Sequence, residues 1–345
     1  MNTKEHLALI DRYSARNYLP LPVVLTRGQG VWVWDIQGRT YLDMLSGYSA
    51  LNQGHRHPRI VRALKEQLDR LTLTSRAFHN DQFGPFCEQI CRLTGQEQVL
   101  LMNTGAEAVE TAIKAARKWG YKVKGVPDEG AEIVCCENNF AGRTTTVISF
   151  STEAQYRDGF GPFTPGFKIV GYDDLAALEG AITPNTVAFL VEPIQGEAGI
   201  IVPHDGYLRR AKEICARNNV LLIVDEIQTG LGRTGKLFCC DYDDVKPDML
   251  VVGKALGGGC YPVSGVLASR DIMQVFRPGD HGSTFGGNPL ACAVGRAALD
   301  VIVEEGLVQR SFANGRYFRE QLAGMKSRHV REVRGRGLFI GVHIR

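Results

Sequence analysis

Two acids and a lysine stand at the ends of apolar runs. The segment LLIVDEIQTGLGRTGK, residues 221–236, is an aliphatic run that stops on Asp225 and Glu226 before a set of glycines. Twenty-nine residues beyond Asp225, MLVVGKALGGGCYP repeats the pattern and closes on Lys254 and three glycines. Short aliphatic runs bounded by turn residues read as buried strands. In an open parallel sheet the carboxyl ends of the strands line the ligand crevice, so Asp225 and Lys254 can face one pocket. A carboxylate beside a ring nitrogen favours its protonated form, and a lysine amine can form a Schiff base with an aldehyde.

An anion site completes the set. VLLMNTGAEAVE puts Thr104, Gly105 and Ala106 between a strand and a helix, with Thr104 and Glu107 spaced as a capping box. Small residues at a helix N-terminus expose backbone N–H groups and the positive end of the dipole. Downstream, HGSTFGGNP offers the hydroxyls of Ser283 and Thr284 in a glycine-rich loop suited to phosphate. A lysine amine, an acid for a pyridine nitrogen and a phosphate cup are together the requirements of pyridoxal 5'-phosphate. Singly, each has a plainer reading: a snorkelling surface lysine, a capped helix, an ordinary turn. Only in combination do they call for one cofactor.

Other motifs fail on context. Gly230, Gly232 and Gly235 spell GxGxxG and, with Lys236, nearly a P-loop, but Leu237 stands where a P-loop needs Ser or Thr. Both motifs should also open a helix directly after a strand, whereas DEIQT intervenes. The acid pair Asp225–Glu226 imitates a Walker B end without a Walker A partner. His55 and His57 in GHRHP, and Cys87 and Cys91 at helical spacing, lack the further ligands of a metal site and read as a polar loop and core packing. No metal is expected.

The elements that must position these residues alternate. VLLMN precedes AEAVETAIKAARKWG, FKIVGY precedes LAALEGAI, and VAFLVEP precedes GYLRRAKEICARNN, with EIVCC, TTTVISF, VLLIVDE, MLVVGKA and SGVLAS as further strands. Continuous apolar strands spaced by helices indicate an α/β fold with a mostly parallel sheet covered on both faces. GVWVWDIQGRTYLDMLSG reads as a small antiparallel hairpin, and VREVRGRGLFIGVHIR as two short strands. The expected division is residues 1–52 as the N-terminal part of a small α+β domain, 53–288 as the large domain, and 289–345 as the C-terminal part of the small one.

Composition narrows the partners. The 345 residues carry a net charge of +3 with 22% charged letters and no basic runs, so the footprint of a nucleic-acid binder is missing. Nine cysteines without a Cys-x-x-Cys pair point to reduced thiols. No apolar run approaches the about 18 residues of a membrane span, and the N-terminus has neither secretory nor transit character. A cytoplasmic protein without nucleic-acid or membrane partners is expected.

The ordered motifs NTGAEAVE, NNFAGRT, EPIQGEAG, DEIQTGLGRTG, GKALGGG and HGSTFGGNP resemble those of the class III, fold-type I aminotransferases. RNYLPLP, GYSALNQGHRHP and DGFGPFTPGF extend the likeness over nearly the whole chain, toward members that act on ornithine. The resemblance implies a ping-pong transfer of ornithine's δ-amino group to 2-oxoglutarate, in a homodimer with its sites at the subunit interface. Acetylornithine or 4-aminobutyrate is the alternative donor, and a cofactor-binding protein with weak or no turnover the alternative class. It also implies roles. Lys254 holds the cofactor and moves the proton, Asp225 pairs the ring nitrogen, and Gln228 bonds the phenolic oxygen. Phe140 stacks on the ring, Gly105 and Ala106 cup the phosphate, and Thr284, beside Ser283, reaches the partner subunit's phosphate.

On the substrate side, the resemblance assigns Tyr18, Tyr48 and Arg143 to the α-amino and α-carboxylate groups of ornithine. Arg143 would also take the side-chain carboxylate of glutamate, Glu192 would orient the ring environment, and Glu197 would mask a C-terminal arginine. Two departures stand out. Ala141 replaces a larger aromatic or His of many relatives, and family members continue past the position of Arg345 into the segment that bears that arginine.

Overall fold

The computed structural model describes residues 1–325 and 327–345. Strands β1 (Leu25–Gln29), β2 (Trp32–Asp35) and β3 (Thr40–Leu42) form an antiparallel sheet near the N-terminus. The expected hairpin is therefore a three-stranded meander. Asp35 anchors it by accepting from the Gln37 and Arg39 N–H groups, the Arg39 Nε and the Tyr41 hydroxyl at 2.7–2.9 Å.

The central sheet contains β4 (Gln98–Met102), β5 (Glu132–Cys136), β6 (Phe167–Val170), β7 (Thr186–Val191), β8 (Leu221–Asp225), β9 (Met249–Val252) and β10 (Ser264–Ala268). Their spatial order is β4-β10-β9-β8-β7-β5-β6. Pairs from β6 to β9 are parallel, while β10 runs antiparallel to both β9 and β4. Every residue of β7 through β10 is buried, which is why these strands read as unbroken apolar runs.

The pleat sorts their side chains into two cores. Leu221, Ile223, Met249 and Val251 pack with Ala108, Ala112 and Ala116 of the helix Gly105–Trp119. Leu222, Val224, Leu250 and Val252 pack on the opposite face with Ala211, Ile214 and Cys215 of the helix Tyr207–Arg217. Because side chains alternate along a strand, Asp225 continues the 221–223 row toward the helix Gly105–Trp119. Strand parity thus puts the acid on the same side as the candidate phosphate cup.

The chain's last strands, β11 (Val330–Arg336) and β12 (Phe339–Ile344), form an antiparallel hairpin. It is tied to the large sheet's loops by Arg334, whose Nη2 donates to the Gly199 carbonyl at 2.7 Å, and by Phe339, buried with Ile194 and Cys239. The helix Pro289–Glu304 lies against Pro58–Leu68 through Ile60, Val294, Ala298 and Val301.

One expected strand is a helix. TTTVISF folds as the helical turn Thr145–Ser149, because Val147 and Phe150 plug the core beneath the helix Gly105–Trp119 while Thr144 bonds Glu110. Burial at helical spacing overrides the β-branched preference. The glycine-rich stretch after Asp225 is turn, and no helix opens on it.

Cys87 and Cys91 pack against the main core on the helix Phe83–Thr94, and burial pushes the Cys87 thiol up to about 12. His55 pairs with Asp43 at 2.7 Å and His57 faces Glu305 at 3.3 Å. Among the described residues no group of three or more His, Cys, Asp or Glu is placed to hold a metal ion, and no helix is long and apolar enough to cross a membrane.

Candidate active site

Three neighbouring parallel strands end on ionisable groups. Asp225 terminates β8 opposite Val251 of β9, and the Glu226 N–H donates to the Val251 carbonyl at 2.9 Å. Lys254 stands three residues further on, at φ +47°, a conformation that costs a non-glycine residue about 1 kcal/mol or more. Glu192 follows the end of β7.

Burial dominates all three. It pushes the Asp225 carboxyl up to about 6, against the Ile227 N–H and the charge of Lys254. It pushes the Lys254 ammonium down from the usual lysine range, against the charges of Asp225, Glu197 and Glu192. Burial first, and the charge of Asp225 second, push Glu192 up to about 8. Glu192 is fixed by accepting from the Phe140 N–H at 2.9 Å, while its carbonyl accepts from the Tyr172 hydroxyl at 3.0 Å.

The cup is built by the cap of the helix Gly105–Trp119. Thr104 Oγ1 accepts from the Glu107 N–H at 3.2 Å, and Glu107 Oε2 accepts from the N–H groups of Thr104 and Asn103 at 2.8 and 3.0 Å. That reciprocal box leaves the Gly105 and Ala106 N–H groups without a partner among the described residues. Ser264 Oγ donates to the Thr104 carbonyl at 2.7 Å, and Asn103 Nδ2 to Ser283 Oγ at 2.8 Å.

Backbone approach here requires glycine. A Cβ on Gly142 would lie 2.7 Å from the Ala106 Cβ, and its φ of +121° disfavours any side chain. Gly142→Ala is expected to cost about 1–3 kcal/mol of stability and to weaken anion binding at the cup about tenfold. Urea denaturation and an equilibrium titration with cofactor check both effects.

A cleft of about 180 Å³ lies between these elements, with Gly105, Ala106, Phe140, Asp225, Gln228 and Lys254 in its walls. Glu192 also lines it, and so do Ala141, Gly142, Ile194, Ile227 and Thr229, which sequence reasoning did not single out as site residues. Their places beside Phe140 in NNFAGRT, beside Gln228 in DEIQTG and, for Ile194, two residues past Glu192 in EPIQGEAG are the signal that could have found them. Glu226 was also missed: it is buried away from the cleft, accepts from the Cys240 N–H at 2.7 Å and bonds the Thr229 hydroxyl, so it clamps the turn that carries Gln228.

The remaining expected residues lie outside this wall. Tyr18 and Tyr48 are 76% and 54% exposed. Arg143 is exposed, its guanidinium 3.6 Å over the Tyr156 ring and 5.6 Å from that of Phe140. Glu197 accepts from Gln228 Nε2 at 3.2 Å, so the amide expected to face a cofactor oxygen points here at an acid. Thr284 is exposed on its loop, and Ser283 stays by the cup through Asn103.

Tyr48 belongs to a strained turn: Ser46, Gly47, Tyr48 and Ser49 have φ of 54°, 55°, 55° and 72°. Asp43 Oδ1 accepts from the Leu45 and Ser46 N–H groups, and Arg233 Nη2 donates to Ser46 Oγ at 2.8 Å and Asn52 Oδ1 at 2.6 Å. Asn52 and Gln53 bond the Leu231 and Ala255 carbonyls at 3.0 Å. The turn is therefore stitched to the loops that follow both Asp225 and Lys254.

A buried acid and a half-buried amine on adjacent strand ends, beside a helix N-terminus, define an enzyme site of the pyridoxal-phosphate type, and the chain belongs to the aminotransferase class-III family, which it matches over residues 13–345. It is 62% identical over 342 residues to the ornithine aminotransferase of Geobacillus sp. (strain WCH70), spanning 99% of this chain and 86% of that protein. Its structure matches the ornithine aminotransferase of Toxoplasma gondii ME49 with a TM-score of 0.98 at 51% identity, covering 100% of this chain and 83% of that one. The acetylornithine aminotransferase of Elizabethkingia anophelis matches with a TM-score of 0.90 at 50% identity, covering 100% and 85%.

Enzymes of this class work with pyridoxal 5'-phosphate, and the residues present fit it. Two free N–H groups and a glycine-lined approach receive a phosphate. Asp225 uses Oδ1 for the Ile227 N–H at 3.0 Å, and its second oxygen has no donor among the described residues. Lys254, half-buried, has no hydrogen bond or ion pair among them.

Proposed function

We propose that the chain transfers the δ-amino group of ornithine to 2-oxoglutarate, giving glutamate-5-semialdehyde and then glutamate in two half-reactions. The observation that carries the chemistry is the unpaired Lys254 amine beside the buried Asp225 carboxyl. When bound, pyridoxal 5'-phosphate supplies an aldehyde for amines and a ring that withdraws electrons.

The chain's own groups do the rest. Lys254 would hold the aldehyde and then carry the proton at the substrate's reacting carbon. Desolvation suits it to that task, because it lowers the amine's affinity for a proton. With the cofactor bound, Asp225 would keep the ring nitrogen protonated, Glu192 would hold the Phe140 loop against the ring, and Gln228 would leave Glu197 to bond the phenolic oxygen. Gly105 and Ala106 would bind the phosphate with Ser283 beside them, and Thr284 would reach that of the partner subunit.

Tyr18, Tyr48 and Arg143 hold the α-amino and α-carboxylate groups of ornithine, leaving the δ-amine to react. Arg143 has no acid partner among the described residues and is free to fork a carboxylate. Glu197, at the mouth with Gln228, serves the substrate side. A homodimer is supported by the exposed apolar residues Tyr13, Leu19, Leu21, Met44 and Leu45, and a cytoplasmic setting by nine free cysteines. Residues 1–52 and 289–345 would then flank the 53–288 body.

A half-reaction panel tests the donor. Ornithine should convert the cofactor to its amine form with kcat/KM about 10²-fold or more above N-acetylornithine and 4-aminobutyrate, since the α-ammonium is lost or blocked in both. Preference for N-acetylornithine would overturn the assignment.

A further inference from the structure

His281 lies outside the cleft, yet its two ring nitrogens are both engaged. Nε2 is 2.8 Å from Thr111 Oγ1, and Nδ1 is 2.9 Å from Lys114 Nζ. The Thr111 hydroxyl has one proton, which it donates to the Glu107 carbonyl at 2.7 Å. Toward His281 it can only accept, so Nε2 carries the hydrogen. The Lys114 ammonium has donors only, so Nδ1 must be bare. The ring is thereby fixed as one neutral tautomer, and a second proton on Nδ1 would face an ammonium.

We propose that His281, held as this neutral tautomer, is a positioning residue that latches residues 277–287 onto the helix Gly105–Trp119 so that Ser283 and Thr284 meet the cofactor phosphate. This rests on the phosphate role of Ser283 and Thr284 given above. The loop and helix have two further ties, Lys118 to Asp280 and Lys114 Nζ to the Asp280 carbonyl at 3.4 Å. Asp280 is itself fixed by the Arg277 N–H at 2.7 Å.

His281 stacks on Phe276, with ring centroids 5.5 Å apart. The charged groups facing it are Lys114 and, more weakly, Glu107 on the helix, with Asp280 beside it and Lys118 beyond. The cup that takes one phosphate and the loop that reaches the other thus share a single helix, and His281 joins them.

The latch is acid-sensitive by construction. Burial foremost, then the Lys114 charge, lower the affinity of His281 for a proton. A group depressed in this way contributes its stabilisation above its ordinary value, and that contribution is lost as the pH falls through the folded-state value.

The test uses the whole 345-residue chain with two readouts, cofactor dissociation constant and amide hydrogen exchange of residues 277–287, at pH 7.5 and 5.5. His281→Phe keeps the stacking but removes both hydrogen bonds. It should weaken cofactor binding about tenfold at pH 7.5, speed exchange in the loop but not in the helix Gly105–Trp119, and flatten the acid-dependent loss. His281→Gln, whose amide can donate to Thr111 and accept from Lys114, should restore tight binding and remain tight at pH 5.5.

Wild-type affinity and wild-type loop exchange in His281→Phe would overturn the latch. If Thr284→Ala leaves cofactor affinity unchanged while His281→Phe loosens the loop, the phosphate role fails and the latch onto the helix stands.

Discussion

Lys254→Ala is expected to lower turnover by about 10⁴-fold or more while leaving the fold and the cofactor's phosphate contacts in place. Among the described residues the side chain is the only amine in the cleft wall, and neither of the two tasks proposed for it, holding the aldehyde and carrying the proton, has a substitute there. Its removal leaves the backbone strain in place, because φ of +47° at this position is tolerated by alanine no better than by lysine, and takes away only the desolvated ammonium. Loss of the visible band of covalently held cofactor, retained binding by dialysis, and partial rescue by added small amines would together establish the role. Turnover above about 1% of wild type would defeat it, because a proton-carrying residue contributes at least about 10²-fold.

Asp225→Asn should move activity and stability in opposite directions. The amide cannot hold a neighbouring ring nitrogen cationic, so turnover should fall about 10²–10³-fold. In the cofactor-free protein, however, the acid is a liability: burial raises it from 3.8 to about 6. A group raised on folding contributes stability below its unfolded value, and that contribution is lost as the pH rises through the folded one. At pH 8 the buried carboxylate therefore costs about 3 kcal/mol at most, which an isosteric amide avoids. Thermal melts should show the cofactor-free variant more stable than the parent at pH 8 and nearly equal to it at pH 4. An unchanged melting point at pH 8 would show that water or Lys254 already compensates the charge.

Asp225 and Lys254 were legible in the sequence because each closes an apolar run, and strand ends in a parallel sheet are where crevices lie. Thr104 and Glu107 were legible for a local reason, since a capping box spans four residues. The residues that hold the site were not. Asn52, Gln53 and Arg233 are polar letters in loops with no period, and their partners lie between 178 and 245 positions away. Glu226 looked like half of a nucleotide motif until its burial and its bond to the Cys240 N–H were seen. The run TTTVISF misled because β-branched letters carry strand preference, whereas the core needed only Val147 and Phe150 on one side of a turn.

The antiparallel strand β10 also sets an order of events. β4 pairs with β10 alone in the central sheet, so the earliest of its strands to leave the ribosome cannot be seated until residues 264–268 exist. At about 5–20 residues per second that interval is on the order of 10–30 s. Throughout it the Thr104 cap and its helix lack the backbone neighbour that aims them, and the anion cup is assembled only once most of the chain has been made.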